Sequence, residues 1–283
     1  MGLLSKNYDK PGKGVDKNAP SKRRIWEFFE IIWNQASKLV LANIVYSVAM
    51  LPLLVGLWLT FELNFDVNSP FIINFYHNKI DILGVVLLVL SIFVSFPATT
   101  GFTYILRNIQ RRQHAWIWHD FIKHTKANYW HGVKNGVVTL VAYFVFIFAY
   151  NVYSADLMGM GALSFALKYM MILFTIIFTW MQFYVNTMIV TFELKMRDIY
   201  KNALIFAIAK LPMNIFVSAV CVVIFALILL IPIPIIAFIL TFFIWYALFG
   251  FIVVFAVYPS IDKFMIQKAT VKEDFEDERL GLL

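Results

Sequence analysis

The sequence predicts an all-α protein, a polytopic membrane bundle of six transmembrane helices with cytoplasmic amphipathic interfacial helices. Three observations predict it. Of 283 residues, 61% are hydrophobic and 18% aromatic, while only 14% are charged, which lies outside the usual composition of soluble domains. The apolar residues gather into runs of about 20, the length that crosses a bilayer core of about 30 Å as a helix. Lysine and arginine crowd alternate loops and nearly vanish from the others.

Each span is justified by the same physical constraint: backbone amides inside hydrocarbon must pair within their own segment. The runs fall near Leu39–Phe61, Ile82–Leu106, Val133–Tyr153, Ser164–Phe192, Leu211–Ile231 and Pro234–Tyr258. The last two form one stretch with no charge between Lys210 and Asp262; as a single helix it would rise about 75 Å, more than twice the hydrocarbon thickness. Pro232 and Pro234 remove two amide donors and disfavour helix before them, so the chain reverses there. Around these spans, residues 1–20 read as a flexible cytoplasmic leader and 269–283 as an acidic cytoplasmic tail, leaving 21–268 as a single membrane domain.

Three segments outside the spans have helical, amphipathic spacing. About 21–35, Ile25, Phe28, Phe29, Ile32 and Trp33 recur opposite Arg24, Glu27, Glu30 and Asn34, as in an interfacial helix. Trp116, Trp118, Phe121, Ile122, Tyr129 and Trp130 interleave with His119, Asp120, Lys123 and Lys126 in a second such segment. Glu193 to Lys210 is the third, with Ile199, Leu204, Ile205 and Ile208 on one face. A faint repeat joins the last two, since Asp120-Phe121-Ile122-Lys123 and Asp198-Ile199-Tyr200-Lys201 each sit between a span and its successor.

Orientation follows from the basic residues. The leader, the loop after the second span, the loop after the fourth and the tail carry the lysines and arginines, against only Lys79 and Lys168 on the other side. Positive loops stay in the cytoplasm, so the chain is expected in the cell membrane as a multi-pass protein with both termini cytoplasmic. The net charge of +7 is then explained by topology and by anionic lipids at the cytoplasmic face, and nucleic acid is not expected as a partner.

Chemistry is sparse. There is no glycine-rich phosphate loop ending in Gly-Lys-Ser/Thr, the lone Cys221 lies in an apolar run, and His114, His119, His124 and His131 lack the spacing of a metal pair. No catalytic residue, cofactor or metal is expected, and the chain is not expected to be an enzyme. An enzyme reading needs Asp120 and His124, one helical turn apart, to converge in a pocket. The spans also lack a mid-membrane charge of the kind ion-coupled carriers keep; Lys168 lies near a helix start and snorkels to the outer interface. Lys210-Leu211-Pro212 follows a cytoplasmic helix as a permease coupling segment does, yet the Glu-Ala-Ala and glycine elements of that motif are missing, so it reads as a helix stop.

The polar residues that remain form stripes. On the fourth span Thr175, Thr179, Gln182 and Asn186 follow spacings of four, three and four, and share one helix face. On the second span Ser91, Ser95 and Thr99 recur every four residues, with Pro97 marking a kink. Such faces point at protein or a wet cavity, either as interhelical hydrogen bonds or as a path for hydroxylated solutes.

Several stretches carry a family resemblance. Ser5-Lys6-Asn7-Tyr8-Asp9-Lys10-Pro11-Gly12, Pro97-Ala98-Thr99-Thr100-Gly101-Phe102-Thr103-Tyr104-Ile105-Leu106-Arg107-Asn108, Trp116-Ile117-Trp118-His119-Asp120-Phe121 and Lys201-Asn202-Ala203-Leu204 resemble, in order, the YesL-like family. That is a family of bacterial integral membrane proteins built on a domain of unknown function. Its members are frequently encoded beside carbohydrate ABC-transport systems, which implies a role alongside sugar uptake and, as partners, carbohydrate ABC transporter subunits. The loop Glu62–Asp81 is longer than in simpler members. Two functions are therefore expected: first, a non-enzymatic accessory or scaffold component of carbohydrate uptake; second, a transporter or facilitator of a small neutral solute through the polar faces of the second and fourth spans.

Overall fold

Three stretches of the chain share one backbone device, and the fold is built from its repetition. A computed structural model describes residues 23–64, 72–75, 82–155 and 159–267. The leader up to residue 20 and the tail from 269 lie outside the described residues.

Helix α1 runs Arg24–Thr60 but breaks at Gln35, where φ is −116° and ψ 16°. Helix α4 (Ile117–Ala127) meets α5 (Tyr129–Ser154) at Asn128, with φ −104° and ψ 16°. Helix α7 (Met196–Ala209) meets α8 (Leu211–Leu229) at Lys210, with φ −109° and ψ 28°. In each case an amphipathic stretch turns through one residue in nearly the same conformation into an apolar span. The faint two-fold repeat is thus three-fold, with the start of α1 as its first copy. The interfacial helix expected over about 21–35 begins at Arg24 and is joined to the first span.

The returning spans are α2 (Ile82–Phe93) with α3 (Ser95–Gln110), α6 (Ala162–Ile189), and α9 (Pro234–Leu240) continuing through a π-helical turn (Thr241–Trp245) into α10 (Tyr246–Ile261). Six-residue connectors, 111–116 and 190–195, lead from α3 to α4 and from α6 to α7. Helices α2 and α3 are bent by 42°. Pro97 accounts for the bend, because its missing N–H would have bonded Phe93, so the break falls at Val94, one turn before the proline. Helix α8 ends at Leu229 and α9 starts at Pro234, which places the reversal at the two prolines. Five helices are long and apolar enough to cross a membrane, and six when the bent pair counts as one span. In the loop after α1, strands β1 (Phe61–Asn64) and β2 (Ile72–Phe75) form a small antiparallel pair that the sequence pattern did not announce.

Each returning span packs its end against an amphipathic stretch. Gly101 of α3 is so close to α4 that an added Cβ would lie 2.5 Å from the Phe121 carbonyl. On α6, Tyr184 stacks on Phe206 of α7 at 5.4 Å, and Ile199 and Ala203 are fully buried there. After α10 no further amphipathic helix is described, and the start of α1 takes the place of one. Phe28 stacks on Phe251 at 5.5 Å, and Arg24 donates to the Phe255 carbonyl. The three stretches therefore form a collar that also brings both described ends of the chain to one end of the bundle.

The spans close into a ring. Tyr46 of α1 stacks on Phe102 of α3 at 4.0 Å; Gly132 and Gly136 of α5 abut Phe96 and Pro97 of α3. Helix α6 bonds α8 through Tyr184 to Asn214 and Trp180 to Ser218, at 2.9 and 2.8 Å. Val217 and Cys221 of α8 pack with Val253 and Val257 of α10, and α10 returns to α1 at Asn43.

Candidate functional site

Antiparallel α5 and α6 face each other with polar residues one turn apart, so their side chains meet as rungs. The rung nearest the collar joins Asn135 Nδ2 to Asn186 Oδ1 at 3.2 Å, and Tyr200 of α7 donates to Asn135 Oδ1. Two turns further out, the Tyr143 hydroxyl lies 2.9 Å from Thr179 Oγ1. Thr179 has its own proton committed to the Thr175 carbonyl, so Tyr143 is the donor. The same logic holds across α1 and α3. Thr99 donates to the Ser95 carbonyl, which leaves Tyr46 to donate to Thr99 Oγ1 at 3.0 Å.

Between these walls lies a cavity of about 440 Å³, inside the range of small-molecule sites. Its polar lining comes from Ser95, Thr99 and Thr103 on α3, Asn135, Thr139 and Tyr143 on α5, and Thr179, Gln182, Asn186 and Thr187 on α6. Tyr46 and Met50 of α1, with Trp245, Tyr246, Phe249 and Gly250 of the last span, complete it. None of the described residues lining it is charged. Of the lining, Leu106, Val254, Thr187 and Asn135 are buried, while Leu53, Tyr143, Thr179, Gln182, Asn186 and Trp245 are part-exposed.

Of the residues expected from sequence, Ser95, Thr99, Thr179, Gln182 and Asn186 line this cavity, whereas Ser91 and Thr175 do not. Ser91 donates to the Leu88 carbonyl and Thr175 to Met171, within their own helices. Ser95 bridges to the Ala49 carbonyl of α1. The stripe on α5 was missed, although Asn135, Thr139 and Tyr143 are spaced by four and its signal was as plain as that on α6. Thr139 and Gln182 occupy the rung between the two bonded ones. Thr139 Oγ1 and Gln182 Nε2 are both buried with no partner at hydrogen-bond distance among the described residues; the Tyr200 hydroxyl gives its proton to Asn135, and its oxygen faces both as a more distant acceptor.

Below the cavity, Arg107 of α3 donates to the Val190 carbonyl and to Thr191 Oγ1, tying the end of α6 to α3. Its guanidinium lies 4.8 Å from the Tyr104 ring centre, and Tyr104 stacks on His124. Burial against this ring lowers the His124 pKa, with Asp120 opposing and Lys123, Arg107 and His119 adding to the drop. The Asp120 carboxylate is engaged elsewhere, accepting from the Trp116 N–H and facing His119. Neither Asp120 nor His124 lines the cavity. Lys168, near the far end of α6, lies over the Tyr150 and Tyr169 rings.

Fold and cavity together define a polytopic membrane protein with an uncharged, partly polar chamber inside its helix ring. Residues 48–150 match the family described as protein of unknown function, DUF624, the domain family of YesL-like bacterial membrane proteins. The similarity covers that segment, from within α1 to within α5. No curated protein matches the chain, and no solved structure does.

Proposed function

We propose that this chain is a non-enzymatic membrane protein that admits a small neutral solute into the chamber between α1, α3, α5, α6 and the last span. One observation carries this reading: the polar faces of the second and fourth spans converge on one cavity of about 440 Å³ without a charged lining residue. A dry, closed bundle would have favoured a purely accessory role, and the chamber ranks the facilitator reading above it. The uncharged lining suits a solute with no formal charge, since a bare ion here would lack a counter-charge.

The excess of lysine and arginine on the collar side supports a place in the cell membrane with both termini cytoplasmic. On that reading Arg107 lies on the inner side of the chamber, and its mouth is assigned to the outer end, beside the part-exposed Leu53 and Trp245. Exposed Trp26, Trp33, Trp116, Trp118 and Trp130 surround the collar beside Arg23, Arg112, Lys123 and Lys126, a combination that suits anionic headgroups.

A second reading, an accessory role beside carbohydrate ABC-type uptake subunits, draws support from α8. Its Val222, Val223 and Leu227 are 66%, 57% and 60% exposed, an apolar flank open to lipid or to another membrane subunit.

The test is solute flux with the full chain in liposomes, read by light scattering for polyols of three to six carbons. Faster entry than in empty liposomes, abolished by Thr179→Phe in a variant that elutes normally on gel filtration, supports the facilitator. No flux for any polyol, with sugar-permease subunits co-purifying in mild detergent, replaces it with the accessory role.

A further inference from the structure

The open rung inside the chamber has the chemistry of a hydroxyl site. Along the α5–α6 seam, Asn135 pairs with Asn186 at one end and Tyr143 with Thr179 at the other. Thr139 and Gln182 stand between them, with Thr139 Oγ1 and Gln182 Nε2 out of hydrogen-bond distance of any described partner and the Tyr200 oxygen a more distant acceptor near both. Thr139 is only 9% exposed, and both residues line the cavity. Buried polar atoms without partners are uncommon in folded proteins, and each costs free energy until something bonds it. The neighbouring hydroxyls of Thr99 and Thr179 are already committed, each giving its proton to its own helix and receiving a tyrosine.

We propose that Thr139 Oγ1 and Gln182 Nε2 form a subsite for one hydroxyl group of an uncharged, polyhydroxylated solute. The Gln182 amide can only donate at Nε2, so it requires an oxygen acceptor. Thr139 Oγ1 both donates and accepts, so it takes the proton of the same ligand hydroxyl. A hydroxyl satisfies the two at once; a carbonyl accepts from both and leaves the Thr139 lone pairs unused; an apolar group satisfies neither. Phe183 and Phe249 supply an apolar wall for the carbon side of such a molecule. The subsite deepens the reading of the chamber as a neutral-solute site and rests on it.

The experiment measures dissociation constants by saturation-transfer NMR on the full chain in detergent micelles. The probes are glycerol, erythritol, xylitol and sorbitol, each against the analogue lacking one terminal hydroxyl. The expected result is binding of at least one polyol with about tenfold preference over its deoxy partner, the worth of one buried hydrogen bond. Thr139→Val and Gln182→Met should each reduce that preference to about twofold or less while still binding the deoxy analogue. If the polyol binds and both variants keep the full preference, the subsite is wrong and the chamber reading survives. If no polyol binds the unaltered chain, or if retained lipid fills the chamber, the chamber reading falls and the subsite with it.

Discussion

Asn43 is built into the hydrogen-bond ladder of another helix: its Oδ1 accepts from the Ala247 N–H at 2.5 Å, while its Nδ2 donates to the Phe242 carbonyl. In a π-helical turn Ala247 would bond Phe242 directly, five residues back. The amide of α1 instead bridges the two groups, and Ser47 adds a second donor to the Phe242 carbonyl at 2.9 Å. This clasp fixes the turn from which Trp245, Tyr246 and Phe249 reach the chamber.

Asn43→Ala leaves the Ala247 N–H without a side-chain acceptor, whereas the Phe242 carbonyl keeps Ser47. A buried group left unsatisfied costs about 1–3 kcal/mol. The melting temperature in detergent should fall clearly for Asn43→Ala and less for Ser47→Ala, which removes only the shared donor. Equal effects from the two variants would show that the Ala247 contact contributes nothing of its own.

Gly132 and Gly136 set the approach of α5 to α3, but they meet different atoms. A Cβ at Gly132 would lie 2.6 Å from Pro97 Cα and 3.0 Å from its nitrogen, backbone that cannot swing aside. At Gly136 it would meet the Phe96 ring at 2.7 Å and Phe96 Cβ at 2.9 Å, the near end of a side chain that rotation does not carry away. Gly132→Ala and Gly136→Ala should therefore each destabilise by about 1–3 kcal/mol, as overpacking does. Melting curves of both variants check this, and an unchanged melting temperature for either would show that the helices can move apart there.

His124 gives a pH dependence with a definite sign. Its folded pKa is lowered from 6.5, chiefly by burial, so between that lowered value and 6.5 the unfolded chain binds more protons than the folded one. Stability contributed by the neutral imidazole is present above about 6.5 and is lost as pH falls through that window. Melting temperature should drop on acidification there, and His124→Gln should flatten the drop. The same slope in both proteins would place the titrating group elsewhere.

The spans were legible because hydrocarbon imposes length and composition on any crossing segment, and Pro232 with Pro234, the first residue of α9, marked the reversal. The bend near Pro97 was legible too, though its position follows the orphaned Phe93 carbonyl rather than the ring. The clasp was not, since Asn43 and Ala247 are 204 residues apart and nothing in either segment announces a π turn. The third copy of the amphipathic unit was hidden because its likeness is in the Gln35, Asn128 and Lys210 backbone angles, which unrelated side chains adopt equally well. In the chamber, helical spacing found the α6 stripe. Which of its residues remain free depends on partners across the seam, and Gln182 is set apart from Thr179 only by what faces each.

In the proposed function, water and solute reach the chamber from the side away from the collar. Single cysteines at Thr179 and at Leu173, which is 51% exposed on the outer flank of α6, test this in a Cys221→Ala background. Intact cells are treated with a small, membrane-impermeant thiol reagent. The account predicts that Thr179→Cys reacts and the lipid-facing Leu173→Cys does not. An unreactive Thr179→Cys, or reaction only after the cells are opened, would contradict it.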